Sequence, residues 1–134
     1  MKFLVIDDSK TQRKLMVKAL ELMGIKEIIE AENGLEGYKL IKESKIDFVL
    51  LDCDMPVLNG LEFLKLVRAN ESIKNTPIIM VSSKGSPDDV IKAIRSKANN
   101  YIVKPFTPKI LEQKIKEVLK LNSGESIINK STPK

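Results

Sequence analysis

The sequence predicts an α/β fold, a single parallel sheet with helices packed on both faces. Three observations carry this. Short apolar runs rich in strand-forming residues alternate with longer segments of helical spacing, five times in succession. Three of the runs, at 3–6, 48–51 and 78–81, are continuously apolar, as strands covered on both faces of a sheet must be. Most of the helical segments also begin on polar residues able to cap a helix.

Taken in order, the first strand is 3–6. Ser9 with Gln12 then reads as a capping box, followed by an apolar stripe at Leu15, Met16, Ala19, Leu20 and Met23, with Gly24 as the stop. Ile28 and Ile29 mark a second strand, and 34–43 carries a shorter helical pattern. The third strand, 48–51, leads to a helix opened by Asn59 and Glu62 and carrying Leu61, Leu64 and Val67. The fourth strand, 78–81, leads to a helix opened by Ser86 and Pro87, with Asp88 and Asp89 in its first turn. The fifth strand is 101–103. Thr107 and Pro108 open the last helix, with Leu111, Ile115, Val118 and Leu119 along one face. Strict alternation implies right-handed crossovers and one domain, 1–121. Residues 122–134 are polar and aperiodic, and predict a mobile tail.

Composition narrows the function. With 134 residues, 43% hydrophobic and 31% charged, the chain suits one soluble domain. No apolar stretch approaches the ~20 residues that span a bilayer, so no membrane insertion is expected. The N-terminus lacks a cleavable leader pattern, and a lone Cys53 fits a reducing compartment, which together predict a cytoplasmic protein. The net charge of +5 is spread over scattered Lys and Arg, so direct nucleic-acid binding is not expected. His is absent, which excludes His-based metal sites and His bases on this chain.

Parallel strands end on a common edge, and ligands of open α/β sheets bind beyond it. The first strand ends in Asp7 and Asp8, the third in Asp52, the fourth in Ser82 and the fifth in Lys104. Three carboxylates cannot share a partly buried site as bare anions. A hard divalent cation resolves that conflict, and an all-oxygen ligand set suits Mg2+. A carboxylate nucleophile, a metal, a Lys and a hydroxyl together form a set of groups for phosphoryl transfer.

The tracts "VIDDSK", "LLDCDMPVLNG", "IIMVSS" and "YIVKPF" resemble the receiver domains of response regulators from residue 1 to about residue 121. The length and the tract "NNYIVKPFTP" are most similar to the stand-alone chemotaxis regulators of the CheY type. The resemblance implies a flavodoxin-like sheet of order 2-1-3-4-5, carried over from that family and not read from these residues. It further implies that Asp52 accepts a phosphoryl group from a phosphohistidine on a sensor histidine kinase. Mg2+ would be held by Asp8, Asp52 and the backbone carbonyl of Asp54, with Asp7 acting through water. Ser82 and Lys104 would contact the phosphoryl group, and Tyr101 would turn inward as Ser82 is drawn toward it. The Lys104–Pro105 peptide would be cis. Such a chain is a monomeric switch and not a turnover enzyme, although it catalyses its own phosphorylation and dephosphorylation. Its output would be a changed surface on the fourth helix, fifth strand and fifth helix, docking to a flagellar-motor switch protein. A stand-alone receiver in another signalling branch or a phosphorelay is the alternative.

Some residues depart from the family pattern or invite other readings. Lys97 stands at the end of the fourth helix where receivers often carry Gly; a left-handed Lys there would be strained by about 1 kcal/mol. Asp54 and Lys84 occupy the variable, rate-tuning positions, and their opposite charges predict a pair across the cleft. Cys53, though beside the acceptor, is expected to be inert. Gly34 and Gly37 lack the Lys-Ser/Thr of a phosphate loop. "DCD" also fits the D-x-D signature of haloacid-dehalogenase-like phosphatases, but it falls on the third strand and Pro56 stands where Thr or Val is usual.

Overall fold

The computed structural model describes residues 1–122 and 124–127. Five strands and five helices alternate: β1 Lys2–Ile6, α1 Lys10–Leu22, β2 Glu27–Ala31, α2 Gly34–Glu43, β3 Phe48–Asp52, α3 Gly60–Ala69, β4 Ile78–Ser82, α4 Pro87–Arg95, β5 Asn100–Val103 and α5 Pro108–Leu119. The strands form one parallel sheet in the order β2-β1-β3-β4-β5, as the family resemblance implied.

Side chains along each central strand alternate between two apolar layers. Leu4, Ile6, Val49, Leu51, Ile78 and Met80 meet Ile41, Phe63, Leu64, Val67 and Ala93 of α2, α3 and α4. Phe3, Val5, Phe48, Leu50, Ile79 and Val81 meet Met16, Ala19, Leu20, Leu111 and Ile115 of α1 and α5. Each fully buried aliphatic or aromatic side chain contributes about 1.5–3 kcal/mol, so β1, β3 and β4 are fixed by burial on both faces. β2 is an edge strand and mixes Glu with Ile, which is why its bounds were less visible in the sequence.

The helix ends obey local chemistry. Ser9 accepts the Gln12 amide at 3.3 Å, while the reciprocal capping box is complete at Asn59 and Glu62. Gly24, at φ 88°, ends α1: its amide donates to Glu21 and the Ile25 amide to Leu20. Lys97 ends α4 with the same pair of bonds and with φ 72°; of the two outcomes the sequence leaves open, a left-handed Lys97 or a different helix end, the left-handed one is present. Lys120 does so after α5, and Leu58 is a further left-handed residue, in the β3–α3 loop. The Lys104–Pro105 peptide is cis.

Beyond α5, Ile127 is only 1% exposed and belongs to the apolar layer of α1 and α5. Asn122 and Glu125 start this segment with reciprocal bonds, the Asn122 amide to the Glu125 carboxylate and the Glu125 amide to the Asn122 carbonyl, both at 3.0 Å. An isolated Ile127–Ile128 pair in a polar run has no period to reveal it. The rest of the expected mobile tail, Ser123 and 128–134, lies outside the described residues.

Candidate functional site

The register puts the chemistry on one edge. Ile6 lies level with Leu51 and Asp52 with Val81, so the residues after β1 flank the end of β3. Asp7, Asp8 and Asp52 bring carboxylate oxygens within 4.8 Å of one another. Asp7 and Asp52 are buried, at 0% and 2% exposure, and Asp8 is exposed. Lys104 enters from the end of β5: its Nζ lies 3.1 Å from Asp52 Oδ1 and 3.7 Å from Asp7 Oδ2. The amide of Asp54 also donates to Asp52 Oδ1, at 3.2 Å.

The acids carry more negative charge than their surroundings satisfy. Asp7 Oδ1 accepts the Ser9 amide at 2.8 Å, but Oδ2 is buried without a hydrogen bond. Burial, reinforced by the charge of Asp52, pushes the Asp7 carboxyl up to about 6 against the pull of the Ser9 amide and Lys104. An orphaned carboxylate oxygen beside two other acids fits a divalent cation bound by oxygen.

Two basic residues overlooked in the sequence support this edge and its opposite. Arg13 donates to the Asp7 carbonyl at 2.7 Å and to Glu30 at 2.9 Å, tying the β1–α1 turn to β2. Its signal was faint: an Arg one turn into a helix and an acid in an edge strand that mixes Glu with Ile. Arg68, at the other end of the molecule, had no visible signal at all. The turn after β3 is also tight. A Cβ on Gly34 would lie 2.3 Å from the Leu58 carbonyl oxygen, and one on Gly60 2.7 Å from Cys53 Cα. These glycines admit close backbone approach, and that is the role of Gly34.

Ser82 is 1% exposed, accepts the Lys84 amide at 3.0 Å and donates to Asp54 at 3.4 Å. The Asp54 carboxylate also accepts from the Ser83 hydroxyl at 3.2 Å. The expected Asp54–Lys84 ion pair is therefore replaced by bonds to neighbouring hydroxyls, which reach the carboxylate without ordering a long Lys side chain. Tyr101 is 9% exposed, and its hydroxyl donates to the Lys84 carbonyl. The buried Tyr101 ring thus lies beside the β4–α4 loop, while the Ser82 hydroxyl faces Asp54. Burial, with the Asp54 and Asp52 charges beside it, pushes the Cys53 thiol up to about 12, which keeps it protonated and unreactive at neutral pH.

Beside the acids, an apolar cleft of about 480 Å³ opens between α1 and the β5–α5 turn, lined by Leu15, Met16, Pro105 and Phe106 among others. No helix among the described residues is long and apolar enough to cross a membrane.

Comparisons with known proteins fit this geometry. Residues 3–116 match the response regulator receiver domain. The chain is 44% identical over 126 residues to a chemotaxis protein CheY homolog of Campylobacter jejuni, covering 93% of this chain and 97% of that protein. It is 42% identical over 123 residues to chemotaxis protein CheY1 of Helicobacter pylori, covering 91% and 99%. Among solved structures it is similar to chemotaxis protein CheY4 of Vibrio cholerae, with a TM-score of 0.81 at 32% identity over 87% of this chain and 97% of that one.

Proposed function

Because the chain belongs to the response regulator receiver domain family, a family of phosphorylation-switched two-component signalling proteins and not turnover enzymes, we propose that Asp52 is its phosphoryl acceptor and that a chemotaxis motor is its output. The observation that carries the first part is Asp52 itself, a buried carboxylate at a strand end, facing an ammonium and two further acids. Among the described residues, the Asp54 amide and Lys104 both donate to Oδ1 of the Asp52 carboxylate, which leaves Oδ2 as the attacking oxygen. That oxygen forms the new bond to phosphorus as the P–N bond of a phosphohistidine on a sensor histidine kinase breaks, and the imidazole leaves with its proton. Lys104 moves from carboxylate to phosphoryl oxygen and Ser82 donates to another, stabilising charge where it develops. The apolar cleft beside α1 offers the kinase a seat next to Asp7 and Lys104.

The residues that would hold Mg2+ are Asp8, Asp52 and the Asp54 carbonyl, with Asp7 through water. The bound ion would supply a positive charge that neutralises the acids and the incoming phosphoryl oxygens. Asp8→Ala should weaken Mg2+ binding by at least about tenfold, as loss of a direct ligand implies. Titration of MgCl2 monitored by backbone amide shifts reads this, and equal affinity in variant and parent would remove Asp8 from the ligand set.

The switch reading rests on the Ser82 bonds. Phosphorylation adds acceptor oxygens that compete with Asp54 for the Ser82 hydroxyl. Ser82→Ala should then accept the phosphoryl group but lose most of the gain in partner affinity that beryllofluoride gives the parent. A full gain in Ser82→Ala would mean that activation travels by another route. The names of the Campylobacter and Helicobacter relatives support chemotaxis as the setting, with a flagellar-motor switch protein as the partner of α4, β5 and α5. The outward apolar residues Ile91, Ile94, Val103 and Ile110 suit such a contact. A cytoplasmic monomer suits this role.

A further inference from the structure

α4 is the helix least held by packing. It has nine residues, Ala93 is its fully buried side chain, and Ile91 and Ile94 face outward. Its placement therefore rests on polar tethers at its two ends. At the N-terminal end the Tyr101 hydroxyl donates to the Lys84 carbonyl, and the Lys84 amide donates to Ser82 Oγ at 3.0 Å. This tether ends on the hydroxyl beside Asp52.

The C-terminal end is held by Arg68 of α3. Its Nε and Nη2 donate to the Lys97 carbonyl at 3.0 and 2.9 Å, and its Nη1 to the Lys74 and Thr76 carbonyls at 2.9 and 2.7 Å. Nη2 also reaches Asn99 Oδ1 at 2.8 Å. Asn99 is in turn locked to β4, its Oδ1 accepting the Ile78 amide and its own amide donating to the Ile78 carbonyl, both at 2.8 Å. One guanidinium thus joins the ends of α3 and α4 to the starts of β4 and β5. Among the described residues no carboxylate pairs with it, and its charge faces the negative end of the α4 dipole. It also grips the carbonyl of Lys97, whose left-handed backbone persists only if the surroundings hold it.

The two tethers lie on opposite edges of the sheet. Ser82 ends β4 and Ile78 begins it. A signal that starts at the carboxyl edge acts on the first tether and not on the second. We infer that Arg68 is a positioning residue for the output face: it anchors the C-terminal end of α4, so that a change at Ser82 and Tyr101 swings the N-terminal end of the helix about a fixed 97–99 loop. This rests on the reading that Asp52 phosphorylation throws the switch. A partner docking on α4 then reads mainly its first two turns.

Residue-resolved amide hydrogen exchange of the full chain in MgCl2, with and without beryllofluoride, tests this. In the parent, beryllofluoride should change exchange at Val90, whose amide bonds Ser86 in the first turn, by at least about threefold, and leave Ala98 and Asn99 within about twofold. Arg68→Lys keeps the charge but loses the fork. Its Ala98 and Asn99 amides should exchange about tenfold faster without beryllofluoride, and beryllofluoride should then perturb both ends of α4. Equal changes at both ends of α4 in the parent would overturn the anchor, as would unchanged Ala98 and Asn99 exchange in Arg68→Lys. A parent that responds to beryllofluoride nowhere, not even at the Asp54 amide, would overturn the phosphoacceptor reading and the anchor with it.

Discussion

Asp7→Asn is expected to make the Mg2+-free chain more stable, by roughly 1–3 kcal/mol at pH 8. Asp7 is fully buried, its Oδ2 lacks a hydrogen bond, and Asp52 stands beside it. Its folded-state pKa, about 6, lies above the ordinary value of 3.8. The folded chain therefore holds this proton more tightly than the unfolded chain does. The penalty of charging Asp7 is absent below the unfolded value, develops as pH rises through about 6, and is complete above it. Asn keeps an oxygen for the Ser9 amide and removes the charge. The stabilisation should thus be present at pH 8, be largely lost at pH 4, and be offset at pH 8 by saturating Mg2+, which favours the parent. Urea unfolding at the two pH values, with chelator and with MgCl2, reads all three effects. An Asp7→Asn gain of equal size at pH 4 and pH 8 would show that its origin is packing and not charge.

Asp52→Asn is expected to end phosphoryl uptake altogether. Asn is nearly isosteric, and its Oδ1 can still accept from Lys104 and from the Asp54 amide. The fold should persist, with β3 buried on both faces as before. What is lost is the anionic oxygen that attacks phosphorus, and an amide supplies no substitute. The intact mass after incubation with acetyl phosphate and MgCl2 should stay at that of the unmodified variant, and beryllofluoride should leave its amide spectrum unchanged. Continued uptake at the parental rate would mean that another residue accepts the phosphoryl group.

Much of this architecture was legible because burial and backbone needs leave marks in sequence. β1, β3 and β4 are covered on both faces, so their apolar runs are unbroken, and the first polar residues after each run lie at the sheet edge. Their meeting needs only that the strands are parallel. The fold order itself came with the family resemblance, since no residue pattern in one chain distinguishes 2-1-3-4-5 from its permutations.

Other features were hidden for physical reasons. Asp54 has several hydrogen-bonding options within reach, and opposite charge suggested Lys84 where two nearby Ser hydroxyls won. Ile127 contributes to the core from a polar segment, where a single contact leaves no periodicity. Arg68 bonds mainly backbone carbonyls, which every residue possesses, so its partners cannot be read from side-chain identity. Lys97 was anticipated only as a departure from an expected Gly; its hold by Arg68 was not. Leu58 and Lys120 adopt left-handed backbone without any residue type that announces it.

The function of the whole site turns on whether Asp52 takes one phosphoryl group with the help of Mg2+. The parent chain is treated with acetyl phosphate, in MgCl2 or in chelator. The acyl phosphate is then reduced with borohydride, and the modified residue is located by peptide mass spectrometry. A single modified residue, Asp52, is expected, appearing with MgCl2 and nearly absent with chelator. Modification of Asp8 or Asp54 in place of Asp52, or equal modification of Asp52 with chelator, would overturn the assignment.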